Sequence, residues 1–108
     1  MACVSTGPVS NPLVNVSRQI DIVTAKFFNN GLKPCVVLIR GFSLNESQNP
    51  AITQVVNIKP KKEVERAYSV NTDAFQFNFE TFNCTNVKIS VWGRKDALSE
   101  EIPVIYIG

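Results

Sequence analysis

Three cysteines, Cys3, Cys35 and Cys84, are the residues of this chain best suited to covalent chemistry. Their number is odd and their spacing fits no zinc pattern. The chain has no histidine, which removes most metal sites and nearly all His-based catalysis. The carboxylate pairs are weak candidates. Glu63 and Glu65 share one face of a predicted strand but sit among lysines and an arginine, and Glu100 and Glu101 fall in a predicted turn. General acid–base work needs an enclosed, perturbed pair. No glycine-rich phosphate loop or nucleophile motif appears. Trp92, with Tyr106 and Arg94, could form a sugar-stacking platform, although a core or interface tryptophan is the commoner use. These residues point to a protein that is not an enzyme and needs no metal or cofactor.

The elements that would position them read as all-β. The chain has 108 residues, 44% of them hydrophobic, enough for one domain with a packed core. A net charge of +2 does not suggest nucleic acid or an anionic membrane as partner. No apolar run approaches membrane-spanning length. The start lacks a basic n-region and carries prolines, so no signal peptide is expected and folding is expected in a cytoplasm. Short runs of β-branched and aromatic residues lie between turn signals and predict seven strands: 18–28, 35–44, 51–58, 63–70, 75–82, 87–94 and 102–107. A polar loop, Asn45 to Pro50, separates the second from the third. Such spacing predicts an antiparallel β-sandwich or barrel over residues 17–108. "CVVLI" and "VIYI" are apolar on both faces, unlike a strand with one wet side. A covering chain segment, a tolerated surface patch or burial by another subunit each accounts for that.

Residues 1–16 stand apart, for the first formal side-chain charge is Arg18. Gly7, Pro8 and Pro12 exclude a helix but permit an extended edge strand. From Cys3 to the first predicted strand, such a segment reaches about 45–55 Å, more than the roughly 30 Å width of the domain. Cys3, Val4, Val9, Pro12 and Leu13 therefore belong to a candidate connector that adds a strand to a neighbouring copy. A disordered tail, or a first strand beginning at Leu13, is the plainer reading. In an antiparallel sandwich Cys35 and Cys84 fall near the same end of the domain. Cys3 could bond to Cys35 or Cys84 of a neighbour; an intrachain Cys35–Cys84 bond or buried free thiols are the alternatives.

The "MAC" start, the leader through Pro12 and the strand series from Arg18 to Ile107 together resemble the endospore appendage (Ena) subunits of spore-forming bacteria. That resemblance, one of layout along the whole chain, implies a jelly-roll-like sandwich with an extended N-terminal connector. It also implies a homopolymeric fibre assembled in the mother-cell cytoplasm and displayed on the spore surface, with a possible anchoring protein there. Disulfide-rich members carry more than one connector cysteine, whereas this chain carries one. The rival expectation is a non-catalytic ligand-binding sandwich, carbohydrate-binding or capsid-like.

Overall fold

The structure is a computed structural model and describes residues 2–15, 17–44 and 50–108. Met1 and Val16 of the leader, and the predicted loop apart from Pro50, lie outside the described residues. The described chain is all-β. Four short strands come first, three in the leader and one just after it: β1 (Ala2–Ser5), β2 (Val9–Ser10), β3 (Leu13–Val14) and β4 (Ser17–Arg18). Eight more follow: β5 (Ile22–Asn29), β6 (Cys35–Ser43), β7 (Ile52–Ile58), β8 (Glu63–Ser69), β9 (Ala74–Phe82), β10 (Val87–Lys95), β11 (Leu98–Ile102) and β12 (Ile105–Tyr106). One sheet has the order β12-β1-β9-β6-β7, with β2 beside β9 in line with β1; a second has the order β11-β10-β5-β8. β3 and β4 form a ribbon of their own. Every pairing is antiparallel. Among the described residues no helix is long and apolar enough to cross a membrane.

Period-two alternation decides which face of each strand is buried. On β9, Phe75, Phe77 and Phe79 are at most 1% exposed, while Gln76, Asn78 and Glu80 are half-buried on the other face. Val37 and Ile39 of β6 join them from the first sheet, and Val23, Ala25, Phe27 and Val91 close the core from the second. The sheets meet where Phe27 approaches Phe79 edge-on at 5.4 Å and Tyr68 stacks on Phe77 at 5.6 Å. Fully burying one such ring contributes about 1.5–3 kcal/mol. Gly41 on β6 makes room for this cluster, since a Cβ there would stand 2.8 Å from Phe77 Cε1.

Buried Asn29 organises one end of the fold. Its Nδ2 donates to the Lys33 and Ile58 carbonyls at 2.8 and 3.0 Å, and its Oδ1 accepts from Gly31 N at 2.9 Å. Its own N–H and C=O pair with Lys62 O and Lys61 N. The side chain thereby satisfies the β5–β6 connection and the end of β7, and the backbone of the same residue satisfies the β7–β8 connection. An Asn29→Asp variant keeps the shape but loses both donors, orphaning two carbonyls. At about 1–3 kcal/mol for each carbonyl, it should lower stability by about 2–6 kcal/mol in a urea titration.

Tyr68 donates to Gln54 Oε1 between the sheets. Burial pushes its phenol above the ordinary value, and the Arg66 charge opposes this. A raised phenol pKa favours the neutral form in the folded state. That contribution is complete below the unfolded value near 10 and is lost as pH rises through the folded one. Tyr68→Phe should therefore flatten the fall of stability above pH ~10, read from thermal midpoints across that range.

Candidate functional site

The leader was expected to extend beyond its own domain, but in this single chain residues 2–11 run along β9. Ala2 to Ser5 pair with Thr81 to Asn78 on one side, and Val4 and Ser5 pair with Tyr106 and Ile105 on the other. Cys3 N donates to Gly108 O at 2.6 Å, and Ile107 N donates to Cys3 O at 2.8 Å. The physical reason is backbone satisfaction. Without β1, β9 would present its unpaired groups to solvent, and β12, which has no other partner strand among the described residues, would have none. Val4 is 1% exposed and joins the core.

The leader is not one continuous strand. Between Ser5 and Val9 it uses one residue more than β9 uses between Asn78 and Phe75. That is a β-bulge, and Gly7 sits in it at φ 65°. Side chains tie the bulge down. Thr6 Oγ1 accepts from Phe77 N at 3.0 Å, and Ser5 Oγ accepts from Gly7 N at 2.9 Å and donates to Asn78 Oδ1 at 2.7 Å. Pro8, with no N–H, follows on the exposed side.

Beyond the bulge the leader is clamped. Asn11 is fully buried and exchanges two hydrogen bonds with the Ile20 backbone, at 3.0 and 2.9 Å, as a strand partner would. The Arg18 guanidinium donates to Asn11 O, Asn71 Oδ1 and Asp73 Oδ1 at 2.9, 2.9 and 2.6 Å. The first charge of the chain thus holds the leader to the β8–β9 connection. Asn11, Arg18, Asn29 and Thr6 were not singled out as site residues. The only sequence signal for Arg18 was its isolation at the leader's end.

The connector residues therefore divide. Cys3 is half-buried on the outer face, Val4 is in the core and Val9 packs against it, whereas Pro12 and Leu13 are exposed. Leu13 belongs to the β3–β4 ribbon, turned at Asn15 with φ 52°. Cys35 and Cys84 do fall at one end of the domain. The favoured bond from Cys3 to a neighbour's Cys35 or Cys84 is replaced here by an intrachain Cys35–Cys84 disulfide with Cα atoms 4.9 Å apart, and Cys3 is free. Paired β6 and β9 bring those two residues together, since Val36 lies opposite Phe82.

The other candidates are scattered. Trp92 and Arg94 lie on the outer face of the second sheet, whereas Tyr106 lies in the first. Glu100 and Glu101 are not in a turn but in β11, where neighbouring side chains point to opposite faces. Glu63 and Glu65 are exposed on β8. Among the described residues no group of three or more His, Cys, Asp or Glu residues is placed to hold a metal ion.

The disulfide spans a sequence separation of 49 residues. A Cys35→Ser, Cys84→Ser double variant should lose about 4 kcal/mol by chain-entropy reasoning, measured by denaturant unfolding. A loss under about 1 kcal/mol would show that the closed loop constrains the unfolded chain little. Compared with protein-family models, curated proteins and solved structures, the chain matches none.

Proposed function

We propose that this chain is a non-catalytic structural subunit that assembles with its own copies into an extracellular fibre, as the resemblance to endospore appendage subunits implies. The fold behind this reading is a jelly-roll-like sandwich, supported by a chain that crosses repeatedly between two antiparallel sheets. Its display on a spore surface belongs to the same proposal.

One observation carries the mechanism. β1 fills a slot between β9 and β12, separated from the clamped part of the leader by the bulge at Gly7. An identical β1 from a second copy would make the same contacts, so the exchange costs little beyond association. The clamp at Asn11 and Arg18 limits what can move. Residues 2–6 reach about 17 Å from the bulge, against the 45–55 Å expected of a free leader. The acceptor must be an adjoining copy. A second feature favours polymers. Edge strand β7, "ITQVVNI", carries no charge, while edges β8 and β11 carry Glu63, Glu65, Arg66, Glu100 and Glu101. Uncharged edges are the ones other strands add to. With Cys35 and Cys84 bonded to each other, the exchange proposed is non-covalent.

The test uses the register. Thr6 N bonds to Phe77 O, so Cys3 and Glu80 form a non-hydrogen-bonded pair, with Cα atoms about 4.5 Å apart. Glu80→Cys should therefore cross-link to Cys3 under mild oxidation. It forfeits only the partly exposed Arg40–Glu80 ion pair, worth under ~1 kcal/mol. In dilute protein the product should be a monomer. In concentrated protein a non-reducing gel should show a ladder that reductant collapses. A monomer band alone at every concentration contradicts exchange of the leader.

A further inference from the structure

The outer face of the second sheet is used by neither the core nor the leader slot. Across its strands one row reads Glu101, Trp92, Thr24, Ala67; the next Ser90, Lys26, Glu65; the next Lys88, Phe28, Glu63. Thr24 and Ala67 are short, which leaves space beside the half-buried Trp92. Two open grooves, of about 590 and 310 Å³, share Lys26 and Trp92. The larger passes Phe28 toward Asn30 and Asn86, and the smaller passes Glu65 toward Arg94 and Ser99. They form one trough along β10, roughly 25 Å long at ~3.3 Å per residue.

The chemistry of the floor selects the occupant. Among the described residues, the side chains of Lys26, Lys88, Glu63 and Glu65 have no ionic partner within the chain. Protein–protein contact centres are depleted in Lys, Glu and Ser, which are abundant here. Nucleic acid would set phosphates against Glu63 and Glu65. A lipid surface would need an apolar or uniformly basic face. A sugar chain fits each feature. A pyranose presents an apolar C–H face to an aromatic ring, and its hydroxyls both donate and accept. Donors (Lys26, Lys88, Asn86) and acceptors (Glu63, Glu65) line the same trough, so neither charge sign dominates. Trp92 and Phe28 stand about 13 Å apart along the strand direction, room for separate rings of one chain.

We propose that this trough binds an uncharged oligosaccharide, with Trp92 and Phe28 stacking on sugar rings and Lys26, Glu63 and Asn86 hydrogen-bonding to hydroxyls. The site is independent of leader exchange and stands whether or not the chain polymerises.

Trp92 is the only tryptophan, so its emission reports on the trough. The full chain is titrated with two probes, the β-1,4-linked hexamers of glucose and of N-acetylglucosamine. At least one should shift the emission saturably, protect it from acrylamide quenching and displace the backbone amide resonances of Lys26 and Ser90. Phe28→Ala and Lys26→Met should each weaken binding about tenfold without changing the thermal midpoint. Trp92→Ala, followed by the amide resonances, should abolish it. Absence of any saturable change with both hexamers up to roughly 10 mM overturns the proposal. So does binding that survives Phe28→Ala and Lys26→Met undiminished. Burial of Trp92 by self-association without sugar also overturns it, by showing that a second copy covers the face.

Discussion

Everything distinctive about this fold depends on four residues that complete a sheet. Ala2–Ser5 lies between β9 and β12, supplies the backbone partners both need and sends Val4 into the core. Removing it would expose the β9 edge beside three buried phenylalanines and leave β12 without a partner strand. A strand so placed is needed by the domain, to which it is joined by pairing, by the Val4 side chain and by the hydrogen bonds of Ser5 and Thr6, with the bulge setting it off from the rest of the leader. Sheet completion is indifferent to which copy provides the strand. Under the proposed exchange the same contacts would serve a closed monomer and an open chain of subunits, and concentration would set the balance.

Polar pins hold the two ends of the body. At one end Asn29 fastens the β5–β6 and β7–β8 connections, beside the Cys35–Cys84 bond. At the other, Asn11 and Arg18 fasten the leader to Ile20, Asn71 and Asp73. Arg18 shows how burial and charge combine: its side chain is 13% exposed, and its charge is met by Asp73 and its other bonds by an amide oxygen and a carbonyl. Such groups are costly to bury unless satisfied, so they fix one geometry more firmly than apolar packing alone. In the proposed exchange, only the segment before Gly7 would therefore leave its own domain.

Much of the sheet content was legible in the residues themselves. Strands with clean alternation, such as Phe75, Phe77 and Phe79, or with turns at both ends, lie within a few residues of their predicted places. The first predicted strand begins late, at Ile22, because Arg18 to Ile20 are taken by the clamp. The last predicted strand, 102–107, splits at Pro103: Ile102 ends β11 in one sheet, and Ile105–Tyr106 lies in the other. β11 itself was missed, since "LSEEI" does not alternate and its pairing rests on a two-residue turn with Asp96 at φ 53°. The leader's partner and the cysteine pairing were not legible, because both are long-range choices. A segment's pattern shows that it can pair as an edge strand, and two cysteines can be placed at one end. Neither pattern names the partner.

Exchange of the leader requires β1 to open as a unit of its own about Gly7, and native-state hydrogen exchange reads this directly. The Ala2 and Val4 amides should exchange through an opening of lower free energy than the Glu80 and Leu38 amides, which lie between β9 and β6, with no dependence on denaturant of the size that global unfolding shows. If those leader amides exchange only with Glu80 and Leu38, at the free energy of complete unfolding, β1 is an inseparable part of its own domain and cannot be given to another copy.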